Sequence, residues 1–254
     1  MPEEENIIIV KDLVKKFGSF VANDHLSFKV RRGEIFGFLG ANGAGKTTAI
    51  KILCGLWYPS SGEVSVAGFD IYKEREKVKQ NIGYMSQRFS LYDDLTVYEN
   101  IRFFGGIYGL RKKIIDARAE NLMQRLDLKS ARNKLIREIP LGWKQKLAFS
   151  VAILHEPKVV FLDEPTGGVD PITRRQFWNM IYQAANDGIT VFVTTHYMDE
   201  AEYCNRVSIM VDGRIAELDR PENLKIKYHA LSMDDVFIRL ARVKVEKSDQ
   251  VNIQ

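Results

Sequence analysis

Two kinds of apolar pattern run along the chain, one alternating and one continuous. Ile7-Ile8-Ile9-Val10 is a β-branched run and Leu26-Ser27-Phe28-Lys29-Val30 alternates apolar and polar, so both predict antiparallel strands. The stretch between them, Val14-Lys15-Lys16-Phe17-Gly18, reads as turn-prone, with Phe17 its one aromatic. Ile35-Phe36-Gly37-Phe38-Leu39 is continuous and, after a glycine-rich stretch, gives way to Ala49-Ile50-Lys51-Ile52-Leu53, which predicts strand, loop and helix. Pro59-Ser60-Ser61-Gly62 is a turn, Glu63 to Gly68 alternates as a strand on the solvent side of a sheet, and Ile82 to Gln87 is a short buried strand ending in a polar residue.

From Thr96 to about Ala131 the period lengthens. Val97, Ile101, Phe104, Ile107 and Tyr108 fall near helical spacing, and Ile114 to Leu128 continues as a second amphipathic helix. This block interrupts an α/β pattern and predicts an inserted subdomain. Val159-Val160-Phe161-Leu162, capped by Asp163-Glu164, and Ile189 to Thr195, followed by His196, suit strands buried on both faces of a parallel sheet. Asp163 then lies at a carboxyl end, where ligands bind in such sheets. A helix from about Pro171 to Ala185 is stopped by Asp187-Gly188. Asp212-Gly213 between Arg206–Val211 and Arg214–Leu218 is a strong hairpin signal. From Pro221 the chain reads as helical and polar, and Val243 to Gln254 is charged enough to fray.

Chemistry enters at Gly40-Ala41-Asn42-Gly43-Ala44-Gly45-Lys46-Thr47-Thr48. Between a strand and a helix this spacing is a P-loop. Its glycines let successive N–H groups, those of Asn42, Gly43, Ala44 and Gly45 among them, turn inward as an anion nest. The helix starting near Gly45 adds its dipole at the same point. Lys46 then meets the β- and γ-phosphates as a point charge, the Thr47 hydroxyl binds magnesium, and Thr48 contacts the α-phosphate.

The bulk numbers narrow the classes. At 254 residues the chain is long enough for one large domain with a subdomain. Its net charge of +4 comes from basic residues interleaved with acidic ones, which argues against a nucleic-acid partner. Cys54 and Cys204 have neither CxxC spacing nor a His cluster and read as buried or incidental thiols of a reducing compartment. The acidic start, Met1-Pro2-Glu3-Glu4-Glu5, lacks the layout of a signal peptide. No apolar run approaches the roughly 18 residues of a membrane span, so a role at a membrane requires another chain or segment to cross it.

Four further segments make the pattern specific. Ile139-Pro140-Leu141-Gly142-Trp143-Lys144-Gln145-Lys146-Leu147 precedes the Asp163 strand, Thr166-Gly167-Gly168-Val169-Asp170 follows it, and Gln87 and His196 stand in order on either side. From about Ile7 to Leu218 the chain resembles the ATP-binding cassette of ABC transporters. Asp163 to Pro171 and Thr195 to Glu202 are most similar to exporter-type subunits with drug- or polyketide-efflux partners. The resemblance implies an α/β P-loop core with an antiparallel β subdomain and an α-helical subdomain inserted at about 90–156. The cassette would extend to residue 228, with a C-terminal helix and charged tail over 229–254.

The resemblance also assigns roles. Phe17 would stack on adenine; Gln87 would touch magnesium and the attacking water and link the site to the transporter; Asp163 would hold magnesium through water. Glu164 would be the general base, a contribution of roughly 10²–10⁴ in rate. His196 would bond the γ-phosphate and position Glu164, and Asp170 would lie at a dimer seam. ATP and Mg²⁺ are the implied cofactors. The implied partners are a second copy or a homologous cassette, closed on by ATP, and transmembrane permease subunits, with the chain peripheral on the cytoplasmic face of the cell membrane. The aromatic-rich stretch from Phe89 to Phe104 reads either as a groove for a permease coupling helix or as plain subdomain core.

One segment departs from the family. Its signature usually reads Leu-Ser-Gly-Gly-Gln; here Pro140 replaces the serine, Leu141 the first glycine, and Gly142 is kept. What remains toward a nucleotide on the partner subunit is a helix N-terminus near Gly142, typically worth 0.3–1 kcal/mol and up to about 2 when partly buried. The expectation is slow ATP hydrolysis by the isolated chain. A soluble ABC ATPase acting on ribosomes or DNA is the alternative, and the single cassette, the lack of a long coiled-coil insert and the balanced charge speak against it.

Overall fold

The strands divide between two sheets, and the continuous apolar runs Ile35–Leu39 and Val159–Leu162 both lie in the larger one. The structure, a computed structural model, describes residues 5–87 and 91–240. The chain opens with β1 (Asn6–Phe17), β2 (Phe20–Arg31), β3 (Ile35–Gly40), α1 (Lys46–Leu53), β4 (Ser61–Val66), β5 (Phe69–Asp70), α2 (Arg75–Gln80) and β6 (Ile82–Met85). The inserted block holds α3 (Val97–Ile107), α4 (Lys112–Arg125) and α5 (Leu141–Ala152). Then follow β7 (Val159–Asp163), α6 (Pro171–Asn186), β8 (Thr190–Thr195), β9 (Arg206–Val211), β10 (Arg214–Asp219) and α7 (Pro221–Lys227).

The strands form a four-stranded sheet of order β2-β1-β4-β5 and a six-stranded sheet of order β10-β9-β3-β8-β7-β6. In the second sheet β9, β3, β8, β7 and β6 pair in parallel, and only β10 is antiparallel. The continuous runs arise because this sheet is covered on both faces. Phe36, Phe38, Phe161 and Phe192 pack on one side with Ile50 and Leu53 of α1, Ile8 and Leu13 of β1 and Phe28 of β2. On the other side Leu39, Leu162 and Val193 meet Phe149 of α5 and Phe177, Trp178 and Ile181 of α6. Burying such a side chain is worth about 1.5–3 kcal/mol, and Phe192, touching Phe36, Phe38 and Phe161 at ring separations of 5.5, 5.2 and 5.4 Å, is the centre of the first core.

Local expectations meet tertiary structure in four places. The Val14–Gly18 stretch is not a turn: β1 continues through it because Lys15, Lys16 and Phe17 pair with Asn23, Val21 and Phe20, and the turn falls at Gly18-Ser19. β4 alternates as expected, but its Val64 and Val66 are buried against the core rather than lying on a solvated sheet. In α3 the buried strip is Val97, Asn100, Ile101 and Gly105, and Ile107 is 61% exposed. Gly105 sets that strip: a Cβ there would lie 2.9 Å from Ile115 of α4, so the missing side chain lets the two helices approach. Finally α2, a charged hexapeptide burying only Val78, and the two-residue β5 left no periodic signal.

The Asp212-Gly213 hairpin forms as read, with φ of 48° and 77°, both positive as a two-residue hairpin turn of this kind requires. Beyond α7, residues 233–240 are helical, and Met233 and Val236 are buried in the core that also contains Leu224. Phe89 and Ser90 of the aromatic stretch and the tail from 243 lie outside the described residues. No helix among the described residues is long and apolar enough to cross a membrane.

Candidate functional site

The strand order places four predicted segments side by side. β3, β8, β7 and β6 are consecutive and parallel, so their carboxyl ends form one edge. From that edge leave the P-loop after β3, His196 after β8, Asp163 and Glu164 at the end of β7, and Gln87 two residues past β6. Residues far apart in sequence meet here because parallel neighbours must end at the same edge.

The P-loop is fixed from below by backbone geometry. Gly43 and Gly45 adopt φ of 82° and 99°, a left-handed conformation that glycine enters without steric cost. A Cβ on Gly45 would also stand 2.4 Å from the Ala22 carbonyl oxygen and 2.7 Å from the Asn23 side-chain nitrogen. Asn23, fully buried on β2, donates its amide to the Gly45 carbonyl at 3.1 Å. The loop therefore needs glycine there for two independent reasons.

The charges converge on Glu164. Lys46, at the first turn of α1, is buried and donates its Nζ to the carbonyls of Gly40 and Ala41 at 2.8 and 3.1 Å. The same ammonium lies 3.3 Å from Glu164 Oε1. The other carboxylate oxygen accepts from Gln87 Nε2 at 3.0 Å and lies 3.0 Å from His196 Nδ1. Asp163 accepts the Thr194 hydroxyl at 2.7 Å and the Thr47 hydroxyl at 3.3 Å. Burial, ahead of its hydrogen bonds, pushes the Asp163 carboxyl above the usual carboxylate range, with the charge of Glu164 beside it acting in the same direction. A buried acid of this kind is the group a bound cation relieves.

Three predicted residues stand outside this cluster. Phe17, at the end of β1, is half exposed; its ring is 5.3 Å from Trp57, edge to face, and the Lys15 ammonium is 5.0 Å from its centroid. Asp170 caps α6: it accepts from the Ile172 and Thr173 N–H groups at 3.0 Å and from the Thr173 hydroxyl at 2.6 Å, and these bonds, that hydroxyl first, hold its carboxyl below the usual range. Gly142, at the second position of α5, packs on that same threonine: a Cβ there would lie 2.8 Å from Thr173 Cγ2. Pro140 and Leu141 are exposed, and Pro140 starts α5 without a side-chain cap.

Sequence reasoning missed Thr194, Asn23 and Trp57. For Thr194 the signal was present: a polar residue inside a strand buried on both faces requires an explanation by a partner.

Residues 23–167 match the ABC transporter family model. The chain belongs to the ABC transporter family. It is 49% identical over 221 residues to the probable multidrug ABC transporter ATP-binding protein YbhF of Escherichia coli (strain K12), covering 87% of this chain and 38% of that protein. The chain thus spans well under half of that relative. It is 35% identical over 222 residues to the daunorubicin resistance ATP-binding protein DrrA3 of Streptomyces coeruleorubidus, covering 87% of this chain and 70% of the relative. A solved structure of the ATP-binding subunit of an ABC transporter superposes with a TM-score of 0.83 at 26% identity, over 92% of this chain and 99% of that one. The arrangement of two sheets and an inserted helical block is thus the ABC ATPase fold.

Proposed function

We propose that this chain binds and hydrolyses ATP as the energy-coupling part of an exporter-type ABC transporter. The observation that supports it best is the convergence of Gln87, His196 and Lys46 on the two oxygens of Glu164, beside the P-loop. A carboxylate so gathered is aimed at one point of space and suits a general base. The multidrug and drug-resistance names of the relatives support export as the direction of transport.

Magnesium fits the residues present. Thr47 and Asp163 offer hard oxygen atoms next to each other, and Asp163 is the buried acid that a cation would favour in its charged form. Among the described residues no three His, Cys, Asp or Glu side chains form a metal-holding cluster. That is compatible with a cation held largely by phosphate oxygens, as nucleotide-bound magnesium commonly is. The ion would supply charge neutralisation along the phosphates.

The chain's own residues do the rest. Lys46 exchanges its contact with Glu164 for the phosphates as they enter the nest, which frees Glu164 to take a proton from water while His196 and Gln87 hold its orientation. Phe17 supports the adenine by its ring face. A second copy, or a homologous cassette, presents the N-terminal turn of α5 at Gly142 to the bound triphosphate, with Asp170 at the seam. Permease subunits, with the chain on the cytoplasmic face, take up the motion; the Tyr92, Phe103 and Phe104 rings, within 4.8–6.1 Å of one another, are the surface on the helical block that suits a coupling helix. Purified with its permease, the wild-type chain should hydrolyse Mg-ATP and Lys46→Ala should not bind it. Tight ATP binding without hydrolysis, alone and with the permease, would refute the reading. Recovery with ribosomes or DNA in place of a polytopic membrane protein would favour the soluble alternative.

A further inference from the structure

Glu164 holds a left-handed backbone conformation that is uncommon for a non-glycine residue. Its φ is 50°, which costs on the order of 1–3 kcal/mol and persists only where the surroundings over-determine it. On its upstream side the constraint is plain, since the Glu164 N–H donates to the Thr194 carbonyl and hydroxyl oxygens, each at 3.1 Å. The downstream side is held by side chains that the mechanism above does not use. The Pro165 carbonyl accepts the amide of Gln145, and the Thr166 hydroxyl donates to Glu200 at 2.5 Å. Gln145, Thr166 and Glu200 are all buried, at 0%, 1% and 0% exposure.

These partners come from two different elements. Gln145 lies on α5, three residues past Gly142, and Glu200 lies in the 3₁₀ turn Met198–Tyr203, four residues past His196. Glu200 is a buried carboxylate facing the Arg174 side chain of α6 at 3.7 Å. The Arg174 guanidinium also lies over the Tyr197 ring at 4.4 Å, and that ring is 4.1 Å from His196. Replacing a buried ion pair by apolar side chains is often neutral or stabilising. What Glu200 contributes is therefore orientation: a fixed acceptor for Thr166, with the Arg174 charge near it.

We infer that Gln145, Thr166 and Glu200 are positioning residues for Glu164: they clamp the two residues after it, and through Gln145 they tie its backbone to the helix that begins at Gly142. A displacement of α5, such as the approach of a second subunit's nucleotide to its N-terminus, then reaches Glu164 through one amide–carbonyl bond. The inference rests on Glu164 being the base.

The test is ATP hydrolysis by the permease complex carrying Thr166→Val, Thr166→Ser, Gln145→Met or, as reference, Glu164→Gln. Valine keeps the shape of threonine and removes the hydroxyl; methionine keeps the length of glutamine and removes the donor. Both should lower kcat on the order of ten- to hundredfold through misplacement of the base, with KM for ATP within about twofold because the P-loop is untouched. Thr166→Ser should restore kcat. Wild-type kcat in both Thr166→Val and Gln145→Met, with Glu164→Gln inactive, would overturn the inference and leave the proposed function standing. A loss that serine fails to rescue, or that appears as a raised KM, would overturn it too, by assigning these side chains to folding alone. Equal rates for wild type and Glu164→Gln would overturn the proposed function itself.

Discussion

Glu164→Gln is the most informative single change, because the geometry predicts opposite effects with and without nucleotide. The carboxylate makes three polar contacts that are all with groups able to donate: Gln87 Nε2 at 3.0 Å and His196 Nδ1 at 3.0 Å on one oxygen, Lys46 Nζ at 3.3 Å on the other. A glutamine fits the space but has one acceptor and one donor end. With its oxygen toward Lys46 its NH₂ faces Gln87 and His196, where the Gln87 amide oxygen or the imidazole Nδ1 can accept it; with its NH₂ toward Lys46 it meets an ammonium that cannot. Lys46 keeps the carbonyls of Gly40 and Ala41, so the loss is the charge of its contact with Glu164, about 1–3 kcal/mol. For a chain of this size that lowers Tm by about 2–12 °C. Mg-ATP should then raise Tm more in the variant than in wild type, because phosphate oxygens replace the carboxylate as partners of Lys46. Hydrolysis should fall by roughly 10²–10⁴, leaving ATP retained. Differential scanning fluorimetry with and without Mg-ATP, alongside phosphate release, measures both. A variant with wild-type Tm, wild-type nucleotide response and wild-type turnover would refute the reasoning.

Three further outcomes are expected. Phe17→Ala should weaken nucleotide binding by about 1–3 kcal/mol, roughly 5- to 150-fold, and equally for ATP and GTP, since stacking on a π-face is indifferent to the base; equilibrium binding measures it, and Trp57, edge-on to Phe17 at 5.3 Å, should report it by fluorescence. Gly45→Ala should abolish nucleotide binding, since its Cβ collides with the Ala22 carbonyl at 2.4 Å, whereas Gly18→Ala, at φ 59° with open space around it, should cost only about 1–2 kcal/mol of backbone strain in a denaturant titration. His155, whose rings stack with Tyr108 at 3.6 Å and whose Nε2 is 2.9 Å from the Ile82 carbonyl, is held by burial at a pKa of about 4 against an ordinary 6.5. The unfolded chain binds the extra proton first, so stability present above about pH 6.5 is lost as the pH falls toward 4. His155→Gln, which keeps a donor for Ile82, should flatten the stability profile across that window in denaturant titrations at several pH values.

Much of the site was legible in order along the chain. The P-loop, the Asp163-Glu164 strand end, Gln87 and His196 each follow an apolar run, and a short apolar run before a polar residue already means a strand delivering that residue to an edge. The doubly covered sheet was likewise visible in Val159–Leu162 and Ile189–Thr195, because a strand buried on both faces reads as a near-continuous apolar run. Less legible were segments whose structure comes from a distant partner. Lys15 and Lys16 are strand residues because Asn23 and Val21 pair with them, and no local signal outweighs two lysines before a glycine. Ile107 is exposed while Gly105 lies against Ile115 of α4, a fact about helix approach that period alone does not contain.

The amino-acid sequence by itself determined the inventory: a phosphate nest, two adjacent carboxylates, a glutamine and a histidine, each on the end of a strand, since strand ends and glycine turns are encoded within a few residues. Only the tertiary structure decided that these four ends are neighbours and that Lys46 rests on Glu164. It alone decided that Gln145 meets the Pro165 carbonyl and that Glu200 meets Thr166. Such pairings join residues 20 to 118 positions apart, and their partners are chosen by sheet order and burial, which no stretch of chain carries alone.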